Sequence, residues 1–145
     1  MLEKLLRAAM AAPTANNQQD WEFVIIDDRK LLDSVPDFHP YSQMLKQAPA
    51  AIAVCADTSQ EYHEGYWAQD CSAATQNILL EAQHLGLGAC WLGIYPRQER
   101  VDGLKKLLQL PENIMPLSLI AIGYPAEEKS PVDRFDKSKI HINKW

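Results

Sequence analysis

The chain has 145 residues, of which 47% are hydrophobic and 23% are charged, and its 14 basic and 19 acidic side chains give a net charge of −5. This composition predicts one folded domain over residues 1–145, and it excludes a disordered chain and, since no run of about 18 apolar residues occurs, a transmembrane helix. The acidic balance also argues against a nucleic-acid partner, because such binding depends on a basic surface that displaces counterions from phosphates.

The start of the chain predicts a helix, a polar loop and a strand. Apolar residues recur at the spacing of one helical face over residues 2–10, and Pro13 ends that pattern because proline lacks a backbone donor. Residues 13–20 carry small hydroxyl and amide side chains and predict a loop. Residues 21–26 are rich in aromatic and β-branched side chains, which is typical of a buried strand.

The middle of the chain predicts two short helices followed by a central strand. The helices are expected near residues 31–35 and 42–48, and Pro49 ends the second one. Residues 50–56 form an uninterrupted run of small and β-branched apolar side chains. Such a run is typical of a strand that is buried on both faces.

The second half of the chain completes the predicted fold. Steps of three and four residues between apolar positions predict a helix over 66–85, and Gly86 stands where a left-handed residue ends a helix. A strand over 89–94, a helix over 97–108 and a strand over 117–122 follow. We therefore predict an α+β fold, with a mixed, mainly antiparallel sheet of four core strands flanked by helices.

The last 20 or so residues, 126–145, form a C-terminal extension that is long for a solvated chain end. Ile140 and Ile142 alternate as they would in a strand that adds to a sheet edge, and the chain ends on Trp145. We expect this extension to pack on a partner subunit.

The sequence lacks the motifs of metal and hydrolytic chemistry. The four histidines show no metal-binding spacing, and neither a nucleophile elbow nor a glycine-rich phosphate loop is present. Cys55, Cys71 and Cys90 are odd in number and far apart, which indicates neither a disulfide framework nor a zinc site. We expect no metal, a reducing cytoplasmic location, and a cofactor that supplies the chemistry.

Three segments offer groups that could hold a cofactor. The loop over 13–19 has hydroxyl and amide groups suited to a heterocycle or a ribityl chain, although it could equally cap itself. Gly93 lies near the end of a strand, where it either lets a flat ring approach the backbone or marks a bulge. Residues 134–145 hold four basic side chains and one acidic side chain, which give a net charge of +3. These basic side chains either bind a phosphate group or are simply solvated.

These segments carry a resemblance to a known family. Residues 5–21 (LLRAAMAAPTANNQQDW), the helix over 70–85 with the GLGACWLG that follows it at 86–93, and IGYPAEEK at 122–129 resemble the FMN-dependent nitroreductases in order and spacing. The resemblance covers nearly the whole chain. It implies an α+β fold, an obligate homodimer with two FMN sites at its interface, and tails that wrap around the partner.

The resemblance also implies roles for particular residues. The family's Pro-Ser-x-x-Asn loop matches residues 13–17 with Thr14 in place of serine, and it would contact the flavin of the neighbouring site. Gly93 and Ile94 fall where the family presents backbone groups near flavin N5 and O4, and the basic tail element would meet the phosphate. The implied cofactor-binding residues are Pro13, Thr14, Ala15, Asn17, Gln19, Leu92, Gly93, Ile94, Lys137 and Lys139.

Two features depart from the family pattern. Asp20 stands where the family usually has proline before Trp21, and it adds a carboxylate near the implied site. The sequence also begins downstream of the Arg-x-Ser segment with which family members clamp the FMN phosphate. Loss of such a charged contact is expected to weaken FMN binding by about ten-fold to a hundred-fold.

The activity implied by the resemblance is NAD(P)H-dependent reduction of FMN at N5, followed by reduction of a nitroaromatic, a quinone or a similar acceptor. Tyr41 and Tyr66 lie in or beside irregular loops and could line the acceptor side. The alternative is an N-terminally shortened, cofactor-poor member of the family that acts as a non-catalytic homodimeric binding protein.

Overall fold

The structure is a computed structural model that describes residues 1–128 and 130–145. Lys129, the last residue of the third family-like segment, lies outside the described residues. The helices and strands in chain order are α1 (Leu2–Ala9), β1 (Trp21–Ile26), α2 (Arg29–Ser34), β2 (Ala50–Asp57), α3 (Trp67–His84), β3 (Gly88–Gly93), α4 (Gln98–Leu108) and β4 (Ile114–Gly123). No described helix, including the 18-residue α3, is both long and apolar enough to cross a membrane.

The four strands form one sheet in the order β1-β2-β4-β3. Trp21 pairs with Ala56, Ala50 with Ile122, and Gly88 with Gly123. The sequence analysis expected a mixed, mainly antiparallel sheet. Every described pair of neighbouring strands is antiparallel, so the antiparallel part of this prediction is confirmed and the sheet is not mixed. The predicted central position of β2 is confirmed, and β3 lies at one edge of the sheet.

Helices cover both faces of the sheet. The side chains of β2 alternate between the two faces, because successive residues of a strand point in opposite directions. One set joins the core under α1 and α3, and the other joins the core under α2 and α4. The first set is Ile52, Val54 and Ala56, and the second is Ala51, Ala53 and Cys55. All six are fully buried, which explains the uninterrupted apolar run in the sequence.

Two elements differ from the predicted ones in their extent. β4 begins at Ile114 and passes through Pro116, where the sequence suggested a later start. The register against β2 shifts here, since Val54 pairs with Ser118 while Cys55 pairs with Pro116. A bulge of this kind tolerates a proline, because one residue is left out of the ladder. The helix expected over 42–48 is a single 3-10 turn, Gln43–Lys46.

The C-terminal extension does not fold back as a strand. Its one regular element among the described residues is the 3-10 turn Lys137–Lys139, so the predicted edge strand at Ile140 and Ile142 is not formed within this chain. Ile142 is 82% exposed and Trp145 is fully exposed. The tail therefore leaves large apolar side chains uncovered by its own chain.

Candidate functional site

The loop between α1 and β1 has an unusual backbone. Asn16, Asn17 and Gln19 all have positive φ angles, between 49° and 53°. Such angles crowd the Cβ of an L residue, and asparagine tolerates them better than most side chains. Three of them within four residues persist only where surrounding contacts hold the backbone in place.

Part of the loop is held by its own residues. The Thr14 Oγ1 accepts the Gln19 N–H at 3.2 Å, and the Gln19 Nε2 donates to the Asn17 carbonyl at 3.4 Å. The side-chain amide of Asn17 is exposed and has no partner within residues 1–128 and 130–145. The loop therefore caps itself in part and still presents the Thr14 hydroxyl proton and the Asn17 amide.

A buried carboxylate of α3 anchors the loop to the rest of the fold. Both Asp70 oxygens accept the Ala15 N–H, at 3.0 and 3.1 Å, and Oδ2 also accepts from the Gln18 amide at 2.9 Å. The same Gln18 Nε2 donates to Asp20 Oδ2 at 3.0 Å, and Gln18 Oε1 accepts the Tyr62 N–H. Gln18 thus connects the two carboxylates and a third segment of the chain.

The Asp20 carboxyl group is poorly placed to carry a charge. The residue is 1% exposed, and its Oδ1 has no hydrogen-bond partner in the described part of the chain. Burial, and then the negative charge of Asp70, raise the pKa of Asp20 from 3.8 to about 6. The Asp20 carboxylate is therefore a buried group under electrostatic strain rather than an exposed ligand.

The end of β3 presents backbone groups at the free edge of the sheet. The Ile94 N–H donates to the Leu117 carbonyl at 3.1 Å, so in an antiparallel ladder the N–H and C=O of Gly93 point away from β4. A Cβ added to Gly93 would meet no atom within 4 Å. The space beside this backbone is open, and β3 stays in register with β4 here, so Gly93 does not mark a bulge in β3.

The two residues beside Gly93 are differently placed. Leu92 and Ile94 bury their side chains in the core under α4. Because the Ile94 N–H is bonded to Leu117, the Gly93 N–H is the donor at this point that faces the sheet edge. The side chains of Leu92 and Ile94 are therefore part of the core, and only the backbone of these two residues borders the candidate site.

The first turns of α3 bring the loop and the end of β3 to the same side of the molecule. Asp70 holds the loop, while Trp67, one turn earlier, packs its ring against Tyr95 at a centroid distance of 4.8 Å. Tyr95 follows Gly93 by two residues. The predicted loop and strand segments thus flank one end of one helix.

The other predicted residues are less closely gathered. Lys137 and Lys139 are exposed in the tail, whose described hydrogen bonds join residues within the tail itself. No described hydrogen bond within this chain joins these lysines to the loop or to Gly93. Tyr66 is half-exposed just before α3, and Tyr41 is 73% exposed beside Arg100, whose Cζ lies 5.7 Å from the centre of its ring.

Sequence reasoning missed the residues that support the site. Asp70, His39 and Arg100 belong to no recognisable motif. Asp70 lies 55 residues from its partner Ala15, and His39 and Arg100 lie 54 and 7 residues from their partner Gly93. The isolated acidic residue in the first turn of α3 was the one available signal. It also fits an ordinary helix start, where a carboxylate suits the helix dipole.

The described residues contain neither a metal-like cluster nor a disulfide. No group of three or more His, Cys, Asp or Glu side chains among them is arranged to hold a metal ion. All three cysteines are free. Burial raises the pKa of Cys55 to about 12 and also raises that of Cys71, so both are inert thiols of the core.

The fold is that of an α+β protein of the nitroreductase type, and solved structures share this fold. A protein from Parabacteroides distasonis, named provisionally as an NADH dehydrogenase/NAD(P)H nitroreductase, is 44% identical with a TM-score of 0.96, and the match covers 99% of this chain and 84% of that one. An FMN-dependent nitroreductase from Clostridium difficile is 31% identical with a TM-score of 0.91, over 99% and 87% of the two chains.

Sequence comparison gives the same answer. The model of the nitroreductase family matches residues 1–41 and 35–124. A relative from Methanothermobacter thermautotrophicus, with the same provisional name as the Parabacteroides protein, is 48% identical over 145 residues, which is 100% of this chain and 76% of the relative. The chain belongs to the nitroreductase family, and the resemblance found in its sequence is confirmed, as is its prediction of an oxidoreductase enzyme.

Proposed function

We propose that this protein binds FMN and catalyses NAD(P)H-dependent reduction of a nitroaromatic, a quinone or a similar acceptor. When bound, FMN would take up hydride from the nicotinamide and pass electrons to the acceptor. Family membership and an FMN-dependent relative support the cofactor. The observation that carries the proposal is the outward N–H of Gly93, which borders an open space at the sheet edge.

The donor set of the described residues fits FMN. Thr14 and Asn17 offer a hydroxyl donor and a free amide, which suit the polar edge of a flavin or its ribityl hydroxyls. Gly93 offers a backbone N–H beside space that a side chain would otherwise fill. Lys137 and Lys139 would give charge-assisted hydrogen bonds to the phosphate.

The remaining residues of the loop have a positioning role in this proposal. Pro13 ends the helical run before the loop, and Ala15 donates its N–H to Asp70, which fixes the backbone from which Thr14 and Asn17 extend. Gln19 closes the loop through Thr14. Binding of a flavin to an already ordered loop costs less conformational entropy than binding to a loop that must first become ordered.

The proposal includes a homodimer, in which each tail crosses to the other subunit. Phe135, Ile140, Ile142 and Trp145 are each more than half exposed, and apolar surface of this kind is typical of an interface. The dimer would carry Lys137 and Lys139 to a cofactor site to which no described hydrogen bond joins them within their own chain. We place the enzyme in the cytoplasm, where three free cysteines persist in the reduced state.

Titration of the purified protein with FMN tests the cofactor. Wild-type protein should quench flavin fluorescence, acquire the visible absorption of bound oxidised flavin, and be bleached by NADH or NADPH without oxygen. Adding an acceptor from a panel of nitroaromatics and quinones should restore the colour. The panel also locates the acceptor side, because Tyr41→Ala or Tyr66→Ala should alter KM for the acceptor. Tyr66→Ala should in addition leave FMN affinity unchanged.

A pair of glycine variants sharpens the test. Gly93→Ala introduces a methyl group into open space, so we expect unchanged stability and at least about a ten-fold loss of FMN affinity. Gly88→Ala, at the other end of β3, meets Pro125 at an ordinary contact distance of 3.4 Å and should bind FMN as wild type does. Failure of wild-type protein to bind FMN at high micromolar concentration would favour the alternative of a non-catalytic dimer.

A further inference from the structure

Two side chains from different elements converge on the Gly93 carbonyl. The His39 Nε2 lies 3.1 Å from this oxygen, and the Arg100 Nη1 donates to it at 2.8 Å. A backbone carbonyl has two lone pairs and accepts both bonds. The Tyr41 ring lies beside the Arg100 guanidinium, at 5.7 Å, and meets the His39 ring edge-on.

Close packing fixes where the two donors sit. Gly103 of α4 lets the Phe38 ring approach so closely that an added Cβ would lie 2.4 Å from Phe38 Cγ. His39 follows Phe38 directly, and Arg100 precedes Gly103 by three residues on the same face of α4. The Ser42 hydroxyl and N–H both donate to the His39 carbonyl, at 2.7 and 3.1 Å. Each donor is thus tied to a rigid element.

The chemistry of His39 is settled by its surroundings. The residue is 1% exposed, and burial, together with the positive charge of Arg100, lowers its pKa although the bond to Gly93 opposes the change. The ring is therefore neutral at pH 7. Because a carbonyl oxygen only accepts, the one ring proton is on Nε2, and Nδ1 is left without a partner among the described residues.

These two donors also restrict the backbone of Gly93, and with it the direction of the Gly93 N–H. In a strand, the N–H and C=O of one residue leave the backbone on the same side and belong to successive peptide groups that meet at its Cα. Two bonds to the Gly93 carbonyl therefore restrict the backbone rotation between these groups. A glycine at an open edge would otherwise have more backbone freedom than any other residue. We propose, on the basis of the proposed FMN site, that His39 and Arg100 are positioning residues that hold the Gly93 N–H toward the flavin ring.

Selective ¹⁵N-glycine labelling tests this proposal, because the chain has six glycines and each gives one amide signal. The variant Arg100→Met removes a donor and keeps an unbranched side chain. The matched control Arg97→Met removes a positive charge at the exposed start of the same helix, without a bond to Gly93. FMN affinity is measured in parallel by flavin fluorescence, and stability by urea unfolding of the protein without FMN.

We expect the Gly93 signal of free Arg100→Met to be displaced, its response to FMN to be reduced, and the dissociation constant for FMN to rise about ten-fold. The Gly88 and Gly123 signals should stay in place, and Arg97→Met should bind FMN like wild type. His39→Gln, which retains an amide donor, should have a smaller effect in the same direction.

Three results would overturn the proposal. Wild-type behaviour of both the Gly93 signal and the FMN affinity in Arg100→Met is the first. A general displacement of all six glycine signals is the second, since it would indicate a role in folding alone. If Arg100→Met does not fold, Arg100→Ser replaces it, because this polar side chain is too short to reach the Gly93 carbonyl. Wild-type values in that variant are the third. Absence of FMN binding by wild-type protein is distinct from these, because it removes the FMN site itself.

Discussion

Asp20 provides a direct electrostatic test of the structure. Its carboxyl group is buried next to Asp70, with one oxygen unpartnered in the described residues and its pKa raised from 3.8 to about 6. A group whose pKa is higher in the folded state favours folding when protonated. Well below pH 3.8 Asp20 does not lower the free energy of unfolding, because it is protonated in both states. Above that pH its charge lowers the free energy of unfolding by an amount that grows until the pH exceeds about 6.

The size of the penalty follows from the two pKa values. At about 1.4 kcal/mol per pKa unit, the charged form of Asp20 costs the folded protein about 3 kcal/mol near pH 8. Near pH 4 the cost is only about 0.5 kcal/mol, because the folded protein keeps the group protonated. The variant Asp20→Asn cannot carry this charge, so its stability relative to wild type should improve by about 2 kcal/mol between pH 4 and pH 8.

The assay is urea unfolding at both pH values and one protein concentration, followed by tryptophan fluorescence. Any cost of burying the new amide is the same at both pH values and cancels in the comparison. Asp57→Asn is the control, because hydrogen bonds from Ser59 and Asn113 lower the pKa of Asp57 from 3.8 to about 2. Its stabilising contribution is nearly complete at pH 4 and is lost as the pH falls from about 3.8 through about 2, so the control should be destabilised by a similar amount at both pH values.

A stability difference between Asp20→Asn and wild type that is equal at pH 4 and pH 8 would refute the reasoning. It would mean that the folded and unfolded chains bind the Asp20 proton equally well. Wild-type stability alone does not answer the question, because other carboxyl groups titrate in the same range.

Two further predictions concern packing and the tail. Gly103→Ala places a Cβ 2.4 Å from Phe38, so despite the better helix propensity of alanine the variant should be less stable by about 1–2 kcal/mol in urea unfolding. It should also bind FMN less tightly, because a shift of Phe38 displaces the neighbouring His39. Unchanged stability would contradict the packing described. Replacing Lys137 and Lys139 together by alanine should weaken FMN binding by about ten-fold, because two phosphate contacts are removed. The dependence of FMN affinity on salt concentration should not become steeper. An FMN affinity equal to that of wild type would show that the tail lysines do not reach the phosphate, and light scattering on both proteins checks that the dimer is unaffected.

The sequence by itself determined much of the architecture. Runs of apolar and β-branched residues located all four strands, because such side chains suit a buried sheet. Hydrophobic periodicity located the three longer helices, because burial of one face imposes a period of 3.6 residues on a helix. The run at 50–56 specified a central strand because both of its faces are covered. The order of short polar and glycine-containing motifs also sufficed to recognise the nitroreductase family.

Only the tertiary structure decided how the candidate site is supported. Asp70 meets Ala15 across 55 residues, and His39 meets the Gly93 carbonyl across 54. Nothing local in the sequence distinguishes such residues, because their roles come from partners that folding brings together. The same holds for the tail: alternating Ile140 and Ile142 suggested a strand, yet a strand needs a partner edge, and this chain alone gives those residues none.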